Sequence, residues 1–183
     1  MVLNRRDCIA IAAAAALVGF CGPGVRAQAP RVQPHGKGKD APATTIVVVG
    51  DSLSAEYGLR RGTGWVALLE EKLKQESIPA EVINASISGD TSSGGRARLP
   101  ALLAQHHPTH VIIELGGNDA LRGLSLQATQ DNLNQMTRAA QKAGAKVVLV
   151  GMQVPPNYGA AYGEQFAKLF GQVAQANKAA LVP

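Results

Sequence analysis

Three short stretches each place a polar group just past an apolar run and beside a glycine. "VVVGDSLS" (47–54) offers the hydroxyl of Ser52, "NASISGDTS" (84–92) the bare backbone of Gly89, and "HVIIELGGND" (110–119) the carboxamide of Asn118. A serine hydroxyl is a nucleophile toward a carbonyl carbon once a base removes its proton. Attack on an ester creates an oxyanion that needs fixed hydrogen-bond donors about 3 Å away. The Ser52 N–H, the Gly89 N–H and the Asn118 NH₂ are donors of that kind. Each residue has a purely structural alternative. Ser52 could cap a helix, Gly89 could serve a turn, and Asn118 could close an Asx-turn. Singly, the two readings balance; three such coincidences at one place weigh toward chemistry.

The elements around these residues must bring them together. "TIVVVG" is a β-branched run suited to a strand covered on both faces, and "AEVINAS", "THVIIEL" and "KVVLVGM" read as further strands. Between them, Trp65, Leu68, Leu69 and Leu73 recur at helical spacing. "ARLPALLAQH" predicts a short helix interrupted at its start by Pro100. Leu133, Met136 and Ala140 mark a helix ended by Gly144, and Phe166, Leu169, Phe170 and Val173 mark a last one. Strands alternating with helices predict a parallel sheet with right-handed crossovers, a three-layer α/β/α sandwich. Ligands in such sheets sit outside the carboxyl ends of the strands, where all three polar loops would lie.

With 183 residues, 46% hydrophobic and 17% charged, the chain suits one domain with a real core. Of the net charge of +5, Arg5, Arg6 and Arg26 against Asp7 put +2 in the first 29 residues. The rest has no basic block with interleaved aromatics, which argues against nucleic acid as a partner. Residues 1–29 read as a signal peptide: a basic start, the apolar run "IAIAAAAALVGF", and the small-x-small end Ala27-Gln28-Ala29. That run is too short to span a bilayer, which takes about 20 residues, so a periplasmic or secreted protein without a stable membrane anchor is expected. Arg5-Arg6 permits twin-arginine export, while Phe20 before Cys21 argues against a lipoprotein. Cleavage would remove both cysteines, Cys8 and Cys21, and with them thiol nucleophiles, disulfides and zinc-thiolate sites. Residues 30–44 read as a flexible linker, and 45–183 as the folded domain.

"GDSLS", "NASISGDTS" and "ELGGND" together resemble the first three sequence blocks of the SGNH-hydrolase (GDSL esterase/lipase) family, with a flavodoxin-like fold. "ARLPALLAQHHPTHVIIELGGNDALRG" and "VPPNYG" resemble its bacterial periplasmic thioesterase, lysophospholipase and arylesterase branch. The resemblance implies Ser52 as nucleophile and the Ser52 N–H, Gly89 N–H and Asn118 side chain as oxyanion hole. It implies hydrolysis of acyl esters or thioesters with neither metal nor cofactor. It also implies an acyl groove bordered by loop 119–124, hence Asp119, Leu121 and Leu124; Met152, Pro155 and Tyr158 could line the same groove or equally be core and loop filler.

The family's base is a His held by an Asp three residues earlier, and no D-x-x-H occurs here. His35 lies in the linker. His106, His107 and His110 belong at the amino edge of the sheet, a strand length of about 17–20 Å from its mouth, whereas a base must come within about 3 Å of the hydroxyl. Asp51 and Asp90 are close to the site, but ordinary carboxylates are feeble bases for a serine; Asp51 is expected to tether loops. "KAALVP" resembles the start of the strand before the missing block, so the expectation is a C-terminally incomplete domain and a near-inactive polypeptide. A binding module that keeps the pocket without the chemistry is the competing reading. Nucleotide binding is weak: neither G-x-G-x-x-G nor a Walker lysine is present.

Overall fold

The structure, a computed structural model, describes residues 44–183. The signal peptide and all of the linker but Thr44 lie outside the described residues.

Five strands form one parallel sheet: β1 (Thr44–Gly50), β2 (Ala80–Asn84), β3 (His110–Glu114), β4 (Lys146–Val150) and β5 (Ala180–Val182). Their order is β2-β1-β3-β4-β5, so the first strand lies inside the sheet between the second and third. The helices are α1 (Trp65–Gln75), α2 (Ser92–His106), the short α3 (Gly117–Leu121), α4 (Leu126–Lys142) and α5 (Ala160–Asn177). α4 packs against both α2 and α5, forming one covering layer, and α1 packs on β2. With right-handed crossovers, α1 precedes a step in the opposite direction across the sheet and so covers the other face. This is the three-layer α/β architecture expected.

The core lies under α2, α4 and α5. Val47, Val49, Val111, Ile113 and Leu149 project into it, meeting Leu99, Leu133, Met136, Phe166 and Phe170, all at most 1% exposed. Their alternates on the α1 face differ: Val48 is fully buried, while Ile112 and Val148 are only half-buried. On α1 itself only Val66 is buried and Leu68 is 54% exposed, so its apolar spacing overstates its contact with the sheet.

Helix α2 departs from expectation. It runs 15 residues straight through Pro100. Thr91 starts it, its side chain accepting a hydrogen bond from the Gly94 N–H at 3.2 Å. Pro100 is exposed, where a lost backbone bond is easily tolerated. His107 ends the helix in the left-handed region at φ 44°. α4 ends as foreseen, with Gly144 at φ 90° just past its cap.

Candidate active site

Three loops leave the carboxyl ends of β1, β2 and β3, and hydrogen bonds tie them into one rim. The Asn118 amide, at the second position of α3, donates to Asp51 Oδ2 and to the Asp90 backbone carbonyl, each at 2.9 Å. Asp51 directly precedes Ser52 and Asp90 directly follows Gly89. One side chain therefore holds all three stretches together. A further tie runs from Asn84 Nδ2 to the Ser54 carbonyl at 2.7 Å.

Ser52 is half-buried. The chain turns here through single helical turns, closed by Ala55 N–H on the Asp51 carbonyl at 2.9 Å and Tyr57 N–H on the Ser52 carbonyl at 3.2 Å. No α-helix follows until Trp65, so Ser52 does not cap one. The cap-like role falls to Asp51, whose Oδ1 accepts from the Leu53 N–H at 3.0 Å. Asp51 thus tethers loops, as foreseen, and burial pushes its pKa up, helped by the nearby Asp90 and Asp119 charges.

Gly89 occupies the third place of a turn closed by Asp90 N–H on the Ile87 carbonyl at 3.0 Å, with φ 80°. A type II turn demands such a positive φ there, and glycine accepts it without strain. Crowding is not the reason, since a side-chain carbon would meet only Arg122, at 3.7 Å. The turn reading of Gly89 is thus satisfied in full, and the residue after it, Asp90, is held by the Asn118 amide.

Behind Ser52 lies a buried polar chain with no precedent in the sequence reading. Trp65 Nε1 donates to Ser54 Oγ at 3.1 Å, and Ser54 Oγ donates to Glu114 Oε2 at 2.6 Å. Glu114 is 3% exposed. Burial, aided by the neighbouring Asp51 charge and opposed by the Ser54 bond, raises its pKa to about 7. Gly50 makes room: a side-chain carbon there would lie 2.6 Å from Ser54 Oγ and 2.8 Å from Glu114 Oε2.

Beside Ser52 opens a cleft of about 420 Å³ lined by Leu53, Gly117, Leu121, Met152, Val154 and Pro155, together with Gly151 and Gln153. Leu121, Met152 and Pro155 line this cleft, and Asp119, Leu124 and Tyr158 do not. Asp119 is turned inward, 2% exposed, and serves as an anchor. Its carboxylate accepts from the Ser92 N–H at 2.8 Å, Ser92 Oγ at 2.5 Å and Thr129 Oγ1 at 3.2 Å, tying α2, α3 and α4. Tyr158 stacks on Tyr162 at 6.0 Å between ring centroids, at the foot of an aromatic column that continues to Phe166 and Phe170. Leu124 is on the exposed turn after α3, with its N–H on the Asp119 carbonyl at 2.9 Å.

The three described histidines are far from this rim. His110 begins β3 and sits in register with Ile46, whereas Glu114 is in register with Gly50. That offset of four residues is about 13 Å along the strands. His106 and His107 close α2 at the same amino edge, and His35 is outside the described residues. Among the described residues, no group of three or more His, Cys, Asp or Glu is arranged to hold a metal ion.

A parallel α/β domain with a serine at the mouth of its sheet, an amide clasp across three loops and an apolar cleft is the frame of a hydrolase. Residues 48–183 match the GDSL-like Lipase/Acylhydrolase family, and the chain belongs to that family. It is similar to Esterase TesA of Pseudomonas aeruginosa, 55% identical over 145 residues that cover 79% of this chain and 72% of the relative. It is 44% identical over 143 residues to the Escherichia coli Thioesterase 1/protease 1/lysophospholipase L1, covering 78% of this chain and 67% of that protein. Among solved structures, TesA superposes with a TM-score of 0.74 at 55% identity, covering 75% of this chain and 77% of that one. The esterase EstA from Pseudoalteromonas sp., inhibited by monoethylphosphonate, superposes with a TM-score of 0.72 at 46% identity, covering 76% of each chain.

Proposed function

We propose that the site hydrolyses acyl esters and thioesters through Ser52, with the Ser52 N–H, Gly89 N–H and Asn118 amide receiving the oxyanion. The observation that supports this is the clasp of Asn118 on Asp51 and Asp90 at 2.9 Å each, which ties together the loops that carry the three candidate donors. Ser52 Oγ would bond to the carbonyl carbon, moving the carbonyl electron pair onto oxygen. Collapse expels the alcohol or thiol, and water then releases the acid and restores the serine. Both Asn118 amide hydrogens have protein acceptors, so the oxyanion takes one of them in exchange. The relatives named esterase, thioesterase and lysophospholipase favour acyl substrates, and the apolar cleft of about 420 Å³ suits an acyl chain along Leu53, Leu121 and Met152. The export reading of residues 1–29 makes the enzyme periplasmic or secreted.

These 183 residues contain four histidines, none of the described ones at the rim. The seryl proton then passes only to solvent, so attack by Ser52 is expected to be slow, far below the turnover of a serine paired with its base. The test is hydrolysis of p-nitrophenyl butyrate by the 183-residue chain beside Ser52→Ala. Slow hydrolysis that Ser52→Ala abolishes is expected. Ordinary esterase turnover lost in Ser52→Ala overturns the missing-base reading, and equal rates for both chains overturn Ser52 as nucleophile. A pocket present among residues that place no histidine beside it also favours a second reading, a module that captures acyl esters unchanged. Saturable binding of the ester with no Ser52-dependent release of nitrophenol would decide for it.

A further inference from the structure

Helix α2 contributes no donor to the oxyanion site, yet Arg98 on its first half reaches the strand ends that do. Arg98 Nε donates to Asp90 Oδ2 at 2.8 Å, Nη2 donates to the Gly50 carbonyl at 3.4 Å, and Nη1 donates to the Ala85 carbonyl. These acceptors belong to three places: the end of β1 two residues before Ser52, the residue after β2, and the neighbour of Gly89. The Arg98 and Asp90 side chains are 21% and 12% exposed, so the pair is largely screened from water.

We propose that Arg98 is the positioning residue of the oxyanion site, its guanidinium setting the spacing between the Ser52 and Gly89 backbone N–H groups. This rests on the reading of Ser52 as nucleophile. A planar guanidinium presents five donors in a fixed fork, so it can hold acceptors spread over one plane; a lysine ammonium on its single flexible stem cannot. Asp90 relays the restraint. Its other carboxylate oxygen accepts from the Thr91 N–H at 3.0 Å, and its carbonyl accepts from Asn118 at 2.9 Å. The Gly89–Asp90 turn is therefore gripped from α2 and from α3 together. Arg122, which donates to the Gly89 carbonyl at 2.8 Å, is exposed and adds a weaker hold. Arg98 does not line the cleft that would bind the acyl group. Its loss should accordingly change the reaction step and leave substrate affinity alone.

The experiment follows phosphonylation of Ser52 in the 183-residue chain by ethyl p-nitrophenyl ethylphosphonate. Ser52 Oγ bonds to phosphorus, nitrophenolate leaves and the seryl proton goes to solvent. The maximal rate and the half-saturating concentration are read separately for the wild type, Arg98→Lys and Arg98→Met, with Ser52→Ala as blank. A displacement of donors by even 1 Å costs about a hundredfold, so both Arg98 variants are expected to lose tenfold or more in maximal rate. Half-saturation should stay within twofold, and added guanidinium should restore Arg98→Met. A maximal rate within twofold of wild type in folded Arg98→Lys overturns the proposal, as does a loss that appears equally in half-saturation. If Arg98→Met fails to fold, Arg98→Lys alone decides. If the wild type labels no faster than Ser52→Ala, the nucleophile reading falls. Arg98 is then judged from amide NMR: unchanged Gly89 and Asn118 resonances in Arg98→Lys overturn it, and selective shifts there uphold it.

Discussion

Glu114 gives the sharpest test of the physics behind Ser52. Its carboxyl is 3% exposed, and its pKa stands at about 7 against an ordinary 4.5. In the folded chain the proton stays on until about pH 7, while the unfolded chain releases it near pH 4.5. Between those values the folded state binds more protons, so stability falls as pH rises, levelling off above the folded pKa. A gap of this size corresponds to about 3 kcal/mol at roughly 1.4 kcal/mol per unit. Glu114→Gln removes the titration. Its amide keeps an acceptor for Ser54 but places an NH₂ near Oε1, which is buried without a partner, so the variant is the less stable chain at pH 5. The stability advantage of the wild type should then shrink by about 3 kcal/mol between pH 5 and pH 8. Urea unfolding followed by the emission of Trp65 measures this, because the one tryptophan joins the same chain through Ser54 at 3.1 Å. Asp51 is raised too and is coupled to Glu114, so the difference between the two chains reports the titration of Glu114 together with that coupling. Parallel stability curves for the two chains would refute the account.

Asp119→Ala should cost about 3 kcal/mol in urea unfolding, because it orphans the buried Ser92 N–H and hydroxyl. Phe170→Ala, emptying a site 1% exposed at the head of the aromatic column, should cost about 3–5 kcal/mol by the same measurement. Gly89→Ala should destabilise by about 1–2 kcal/mol through its φ of 80°, with no steric penalty, and the same change at an ordinary exposed helix position should not.

The strands were legible because β-branched runs such as "TIVVVG" are buried on both faces and tolerate nothing else. Ser52, Gly89 and Asn118 could be foreseen as neighbours because a parallel sheet gathers its carboxyl-end loops on one edge. Side-chain direction could not. Asp119 stands beside Asn118 in sequence but points into the core, since one residue step along α3, about 100° of rotation, turns it toward Ser92 and Thr129. Tyr158 read as pocket lining until the column of rings up α5 showed its partner. Pro100 read as a helix break, but the helix that starts at the Thr91 cap, nine residues upstream, runs past it. Glu114, Ser54 and Arg98 were missed for a different reason. Ser54 and Glu114 are 60 residues apart, and Arg98 joins Asp90, Ala85 and Gly50 at 8, 13 and 48 residues, separations that no local period encodes.

The placing of β1 inside the sheet governs when the site can exist. Ser52 is made early, yet its strand finds β3 only across 64 residues, through Thr45 N–H on the Thr109 hydroxyl at 3.0 Å and the ladder that follows. Closing so long a loop precedes any gain from strand pairing, and folds built this way form slowly. A growing or unfolding chain that has released β3 keeps its serine but loses Asn118 from beside it. The clasp of Asn118 on Asp51 and Asp90 should therefore appear and vanish with the central strand pair as a single event, leaving no partly assembled rim.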